Sequence, residues 1–338
     1  MSAVVRLVLF RRSLAGKHPS VTSTETRSAD QDDRPLTHPL PTVELAFATP
    51  RKLPKARDVR GRVVVLDIAF ASEAGGGGFT GVTLPFIEGL GARLIAWVDH
   101  HDSDHHPRFA GDPRFVLSTK AQHGACPEMV TPEIVARAGQ VDTIVCHSDF
   151  DGLASAAKWM RGGVEPYPGA DDDARAVDTR IGHPSPIGVR FDRALRARPR
   201  DTALFGIVVR HLATGLADAS LWETIDRAAG EHAKLEEETQ RLAKGFRLLG
   251  QQVAFVDATQ RGGPYDKTTL LLLGQQRAPV SVVVDGDNLT LAAAFDSGLN
   301  FLKLLGLSGG MPTRVSVPKK GLVDALRKLG VPEGDIPR

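Results

Sequence analysis

The chain has 338 residues, of which 42% are hydrophobic and 24% are charged, and its formal net charge is only +2. Its length favours about two domains, and its composition is that of a globular protein with a full core. The small net charge excludes a global basic field for duplex nucleic acid. The low aromatic content of 6% disfavours a nuclease that tracks long single strands.

The first part of the chain differs from the rest. Residues 1–57 mix polar residues and prolines with little periodicity, which predicts a disordered or surface N-terminal arm. No apolar run is long enough to cross a membrane, and we expect no secretory signal. Two cysteines, Cys126 and Cys146, are too few for a disulfide framework and suit a reducing compartment. We therefore expect a cytoplasmic protein with no membrane partner.

Three apolar runs end abruptly in acids and imidazoles. Residues 63–66 lead into Asp67, residues 94–98 into Asp99, His100 and His101, and residues 142–146 into His147, Asp149 and Asp151. Short apolar runs of this kind are typical of buried strands. In a parallel α/β sheet the carboxyl ends of the strands form the ligand-binding edge. The sequence therefore predicts that these side chains gather at one edge of one sheet.

The residue types at these strand ends suit divalent cations. Carboxylate oxygens bind hard cations, and manganese and its neighbours also accept imidazole. The alternate spacing of His147, Asp149 and Asp151 directs these side chains the same way. Asp67 is the candidate bridge between two ions, and His100 is a candidate terminal ligand. Two ions about 3.5–4 Å apart clamp a phosphoryl group and hold a reactive water.

The Asp-His-His triplet occurs twice. Asp99 is a candidate to hold an imidazole by an outer-shell hydrogen bond. The second copy, Asp104-His105-His106, does not follow a strand directly, so we predict that it is a solvated loop.

Further elements follow along the chain. We predict a strand over residues 174–178, a long charged helix over residues 222–249 and a smaller α/β unit beyond it. The runs at 253–256, 270–273, 280–284 and 289–295 read as strands of that unit, which ends with a helix near 322–329. The predicted division is an arm at 1–57, a metal-binding domain at 58–220, a linker helix at 221–250 and a substrate-binding domain at 251–338.

These motifs resemble the DHH phosphoesterase superfamily, in its DHH/DHHA1 form with RecJ-type exonucleases and oligoribonucleases. The resemblance rests on Asp99-His100-His101 and on the stretch from His147 to Gly152, and it covers roughly residues 60–335. In most of the family the His-x-Asp-x-Asp-Gly stretch comes first. Here Asp149 follows Asp99 by 50 residues (149 − 99), so the catalytic motifs look circularly permuted. The implied fold is a parallel-sheet catalytic domain joined by a long helix to a smaller DHHA1-like α/β domain.

The resemblance implies roles for the candidate residues. Two Mn²⁺ ions, with Mg²⁺ as the alternative, would activate a water for in-line attack on phosphorus. The implied ligands are Asp67 as bridge, His147 and Asp149 for one ion, and Asp151, His100 and Asp178 for the other. Asp178 is the candidate for the family's last aspartate, with His123 and His211 as substitutes. His101 would polarise the phosphate.

The closing segment implies a substrate site in the small domain. Backbone N–H groups of Ser308, Gly309 and Gly310 would receive a phosphate. Arg314 and Lys319, or Lys320 in its place, would supply positive charge. Met311-Pro312 stand where the family usually has a histidine soon after its glycines, which leaves the substrate class open.

Three functions remain open on the sequence. The first is a metal-dependent phosphodiesterase that cleaves short oligonucleotides or a cyclic dinucleotide. The second is a catalytically inactive relative that serves as a nucleic-acid-binding or scaffold protein. The third is a phosphomonoesterase or phosphoanhydride hydrolase acting on small nucleotides or polyphosphate. The expected partners are such phosphate esters, and a homodimer is compatible with each function.

Overall fold

A computed structural model describes residues 4–7, 42–72, 77–307 and 311–337. Within these residues the first sheet has the order β1-β2-β6-β3-β4-β5, with β1 antiparallel and the other strands parallel. Its strands are β1 (Val4–Leu7), β2 (Val43–Ala48), β3 (Val63–Leu66), β4 (Leu94–Asp99), β5 (Phe115–Leu117) and β6 (Thr143–His147).

Helices surround this sheet and bury both of its faces. They are α1 (Leu84–Leu90), α2 (Pro132–Ala138), α3 (Phe150–Met160), α4 (Ala170–Thr179), α5 (Pro186–Ala197) and α6 (Thr202–Ala213). One core layer lies between the sheet and α3, α5 and α6, and a second lies on the opposite face around Trp97 and Phe70. Burial on both faces explains why β3 reads as the unbroken apolar run Val63–Leu66.

A long helix and a second sheet follow. Helix α7 (Leu221–Ala243) packs against α5 and leads to a mixed sheet in the order β11-β10-β9-β8-β7. The elements are β7 (Arg247–Leu249), β8 (Val253–Asp257), α8 (Lys267–Gln275), β9 (Val280–Asp285), β10 (Asn288–Ala293), α9 (Phe301–Leu305), β11 (Arg314–Pro318) and α10 (Leu322–Lys328). The predicted α/β class, with a parallel sheet, a long helix and a smaller α/β unit, is confirmed.

The N-terminal prediction is wrong for part of its range. β2 is a buried strand that pairs with β6 in the first sheet, although residues 1–57 were expected to form an arm. Its neighbours on both sides are polar and proline-rich, so a six-residue strand was hidden in a window without periodicity. Most of the arm, residues 1–3 and 8–41, lies outside the described residues.

Three other elements differ from expectation. Residues 174–178 lie in α4 and residues 270–273 lie in α8, where strands were predicted. Short apolar runs do not distinguish a strand from one buried helical face, because both satisfy the same burial. The long helix ends at Ala243, and Arg247–Leu249 joins the second sheet as an edge strand. Among the described residues, no helix is long and apolar enough to cross a membrane.

Candidate metal centre

The centre forms where three neighbouring strands end. β3 lies between β6 and β4 in the sheet, and all three run parallel. Asp67 follows β3, His100 follows β4, and His147 ends β6. Since parallel strands end at one edge, the side chain from the middle strand reaches both neighbours. Asp67 is therefore the natural common member of the cluster.

Asp67 lies in an unusual backbone conformation. Its φ of 57° is in the left-handed region, which few residues other than glycine adopt. The backbone N–H of Asp67 donates to the carbonyl of Val98 at 2.9 Å, so the pairing of β3 with β4 continues through this residue. Such local strain persists where the surrounding structure enforces it, and it is concentrated at functional sites.

The side-chain distances define three groups of possible metal ligands. Within each group the ligand atoms all lie within 4.8 Å of one another. The groups are Asp67 with His100 and His101, Asp67 with His147 and Asp149, and His100 with Asp151 and Asp178. The predicted ligands Asp67, His100, His147, Asp149, Asp151 and Asp178 are thus brought together.

Individual contacts show how closely the groups overlap. His100 Nε2 lies 3.2 Å from Asp67 Oδ1, 3.4 Å from Asp151 Oδ2 and 3.9 Å from Asp178 Oδ2. On the other side of Asp67, its Oδ2 is 3.6 Å from His147 Nδ1. One carboxylate thus faces an imidazole through each of its two oxygens.

The residues fit a divalent cation by their burial and by their lack of partners. Asp67, His100 and Asp151 are almost completely buried. Within the described part of the chain, both oxygens of Asp67, His100 Nε2, His147 Nδ1 and Asp151 Oδ2 are buried without a hydrogen-bond partner of good geometry. Buried polar atoms normally have partners, so this concentration of exceptions at one point fits a cation-binding site.

Outer contacts orient the imidazoles. His100 Nδ1 hydrogen-bonds the backbone carbonyl of His123 at 2.9 Å, which turns Nε2 toward the carboxylates. His101 Nδ1 lies 2.8 Å from Asp99 Oδ1, and Asp99 is fully buried. Burial raises the pKa of Asp99, but His101 outweighs burial and the net pKa is lowered. Asp99 is therefore ionised and orients the imidazole of His101, which is the role predicted for Asp99.

Gly152 sets the approach of α3 to the end of β6. A Cβ atom at this position would lie 2.6 Å from the carbonyl oxygen of His147. Only glycine permits this contact, which brings Asp149 and Asp151 beside His147.

His123 and His211, the alternatives to Asp178 as a ligand, are not in the ligand groups of the described residues. His123 contributes its carbonyl, and its imidazole faces Glu128 Oε2 at 3.4 Å. His211 is buried against Trp222 and Phe191, away from the three ligand groups. Asp178 reaches the centre from the end of α4, where a strand was predicted.

The second triplet begins in a turn, as predicted, but it is only partly solvated. Asp104 is exposed, whereas the two imidazoles are half-buried. The His105 ring stacks on Phe79 with centroids 4.1 Å apart, and His106 contacts the edge of Phe70. None of the three residues belongs to a ligand group among the described residues.

Lys120 was missed from the sequence. Its side chain is buried and its ammonium donates to Asp178 Oδ2. Burial raises the pKa of Asp178, but Lys120 outweighs this and the net pKa falls to about 2. Lys120 lies three residues beyond β5, which ends at the same sheet edge, but a lone lysine in a loop gives no local signal of burial.

A cavity of about 320 Å³ opens beside the centre, between the end of α4 and the second sheet. Asp178 and Arg180 line one side, and residues from α8, β10 and β11 line the other. Arg314 is half-buried there, and its one side-chain hydrogen bond within the described residues is to Thr268 Oγ1 at 3.4 Å. Burial and the nearby Arg180 lower the pKa of Arg314, and together they outweigh the carboxylates of Asp178 and Asp266.

Lys319 and Lys320 do not line this cavity. Lys319 Nζ lies 3.6 Å from Asp257 Oδ2, and both side chains are exposed. Ser308, Gly309 and Gly310 lie outside the described residues. Arg314 is thus the predicted substrate residue that the structure brings toward the centre.

Comparison with known proteins adds a distant likeness. No family model matches the chain, and no curated protein matches it. Among solved structures, a pGpG-specific phosphodiesterase, PggH from Vibrio cholerae, matches 80% of this chain and 97% of its own. Sequence identity is 12% and the TM-score is 0.36. At these values the likeness is remote, and functional conclusions rest on the site itself.

The protonation of the centre predicts how metal affinity depends on pH. Burial and Lys120 lower the pKa of His100, but the adjacent carboxylates of Asp151 and Asp67 outweigh them and raise it to about 11. The pKa of His147 is also raised, because Asp149 and Asp67 outweigh burial. Both imidazoles are therefore protonated near neutral pH in the metal-free protein, and metal binding must expel these protons.

We expect the apparent Mn²⁺ affinity to rise from pH 6 to pH 8, by roughly tenfold per pH unit for each proton released. Calorimetric titration in buffers of different ionisation enthalpy measures both the affinity and the protons released. The stability of the metal-free protein depends on pH in the opposite direction. The raised pKa of His100 adds stability below about pH 6.5, and this stability is lost as the pH approaches 11. His183→Asn, at an exposed imidazole, is the control. An affinity independent of pH would contradict the prediction.

Proposed function

We propose that the chain is a metal-dependent phosphodiesterase of the DHH type with permuted motifs, acting on short oligonucleotides or cyclic dinucleotides. The observation that supports this most strongly is the overlap of three ligand groups through Asp67 and His100. Several buried acids at one point would destabilise a fold unless cations compensated them. A scaffold protein would have no need to maintain such an arrangement.

The ligand groups suggest where ions would be held. One position would use Asp67, His147 and Asp149, and the other would use His100, Asp151 and Asp178. Bound there, divalent ions would lower the pKa of a water and stabilise developing charge on phosphate. The mixture of imidazole and carboxylate favours Mn²⁺, with Mg²⁺ as the alternative.

Protein groups around the ions would handle the phosphate. The carboxylate of Asp99 accepts the Nδ1–H of His101 and orients the ring, so that an Nε2–H would be directed at a phosphate oxygen. His101 is 17% exposed, whereas His100 is fully buried, so His101 is the imidazole that a substrate can reach. We assign it the role of polarising the phosphate.

The cavity supports a small substrate. Its volume of about 320 Å³ is near the lower end of the range of ~300–1,000 Å³ for ligand pockets. Leu271, Leu272 and Phe295 supply apolar surface, and Arg314 supplies charge at a distance from the ions. A nucleotide with one phosphate at the centre and a second near Arg314 matches this layout. We therefore propose a catalytic unit around the first sheet and a substrate-binding unit around the second.

Hydrolysis of a defined panel tests the proposal. The metal-free chain would be loaded with Mn²⁺ and offered linear dinucleotides, cyclic dinucleotides, a mononucleotide and inorganic pyrophosphate. We expect turnover of the dinucleotides, which stops with a chelator and returns with Mn²⁺. Turnover of only the mononucleotide or pyrophosphate would instead indicate a phosphomonoesterase or phosphoanhydride hydrolase. Metal binding without turnover of any compound would contradict the enzymatic function.

A further inference from the structure

We propose that Lys120 supplies the second positive charge of this centre from within the chain, so that only one divalent ion is bound tightly. This inference rests on the proposed function, because it concerns how the same ligands are shared between metal and protein. The tight ion belongs to the group of Asp67, His147 and Asp149. Lys120 takes the place of an ion at the group of His100, Asp151 and Asp178.

The position of Lys120 carries the argument. Its side chain is 2% exposed, and its Nζ donates to Asp178 Oδ2. Asp178, Asp151 and Asp67 are its charged neighbours, so the ammonium faces the same carboxylates that would hold an ion. A buried ammonium is costly unless it is paired. Lys120 is therefore held in the cluster and is not a surface residue that happens to reach it.

The two candidate ion positions differ in whether a positively charged side chain already pairs with their carboxylates. Around Asp67, His147 and Asp149, no lysine or arginine donates among the described residues. His147 Nδ1 lies 2.7 Å from Asp149 Oδ2, and Asp67 Oδ2 and Asp149 Oδ1 lack hydrogen-bond partners. In the other group, Asp178 already has Lys120 as its partner. An ion entering that group would have to displace the ammonium from Asp178 and would then face it as a like charge.

The bound ion and the Lys120 ammonium would then have different chemical roles. A lysine ammonium is a compact point charge that can compensate carboxylates, as a second ion would. It does not lower the pKa of a water in the way that an ion does. Water activation would thereby fall to an ion at Asp67, while buried Lys120 compensates the carboxylate of Asp178.

The test is the number of ions that the full-length chain binds. Metal-free protein would be titrated with MnCl₂, with free and bound Mn²⁺ followed by electron paramagnetic resonance. We expect one tight ion per chain with the signal of an isolated Mn²⁺, and a second ion at least 100-fold weaker. In Lys120→Met, which keeps the apolar stem and removes the charge, we expect two tight ions with a spin-coupled signal.

Lys158→Met is the matched control, because Lys158 is also buried and paired, with Asp171 at 2.5 Å and the carbonyl of Pro127 at 2.9 Å. It lies outside the ligand groups of the described residues, so we expect wild-type stoichiometry. Two equally tight ions in the wild type would overturn this inference and leave the proposed function intact. No tight ion in the wild type would overturn both. A folded Lys120→Met that still binds one ion would also overturn it, and the wild-type titration decides if this variant does not fold.

Discussion

Asp67→Asn is expected to lose phosphodiesterase activity by about three orders of magnitude or more. Asp67 Oδ1 faces His100 Nε2 at 3.2 Å and Oδ2 faces His147 Nδ1 at 3.6 Å, so this carboxylate is shared by the ligand group that contains His101 and the one that contains His147. An amide keeps the shape and replaces one oxygen by an NH₂ group, which cannot bind a cation. Metal ions supply several kcal/mol of charge stabilisation, and about 4 kcal/mol corresponds to roughly 10³ in rate.

Metal affinity should fall together with activity. Loss of an outer-shell partner alone costs ~10–100-fold, so we expect the loss of this inner ligand to exceed ~100-fold. Steady-state hydrolysis and Mn²⁺ titration measure the two effects, and circular dichroism checks the fold. Asp104→Asn is the control, since Asp104 begins the second triplet, is exposed and is outside the ligand groups. An Asp67→Asn enzyme with near wild-type activity would exclude this centre as the site of hydrolysis.

Arg314→Met is expected to raise KM for a dinucleotide by about 10–100-fold, which corresponds to roughly 1.4–2.7 kcal/mol of lost binding. Arg314 lines the cavity between the end of α4 and the second sheet, and its one side-chain partner in the described chain is the uncharged Thr268. Its guanidinium is thus available to an anion, and hydrogen bonds between charged groups are worth ~1.5–3 kcal/mol. Methionine preserves the apolar stem, so the change isolates the charge.

The division between KM and kcat distinguishes substrate binding from chemistry. We expect kcat to change by no more than a few-fold and Mn²⁺ affinity to stay the same, because Arg314 is not in a ligand group. Lys319→Met is the matched control: it removes a predicted basic residue that the structure places against Asp257, outside the cavity. If Lys319→Met raised KM and Arg314→Met did not, the substrate would lie on a different surface from the one proposed.

The site was more predictable than several of its supporting elements. Asp67, His100 and His147 each follow an apolar run, and the convergence of parallel strands at one edge is a general property that sequence reasoning can use. Lys120 obeys the same rule after β5, but a lone lysine in a loop gives no signal of burial. Asp178 was named through family resemblance, and its helix was mistaken for a strand because five residues contain too little periodicity.

β2 and the surroundings of the second triplet could not be predicted from the sequence. β2 is too short and too isolated among prolines to stand out, and it is identified by its pairing with β6. Asp104-His105-His106 repeats the letters of the functional triplet but packs its rings on Phe79 and Phe70. Identical residues therefore have different surroundings, and packing partners from distant parts of the chain decide which copy joins the centre.

The sequence by itself determined the α/β class and the candidate ligands that follow strands, because strand period and residue chemistry are local properties. Only the tertiary structure decided that Asp67 lies between His100 and His147, because strand order depends on long-range pairing. It also decided that Lys120 pairs with Asp178 and that Arg314, not Lys319, faces the cavity. The physical reason is that charge compensation and burial depend on contacts between side chains that are distant in sequence, and no local sequence pattern specifies those contacts.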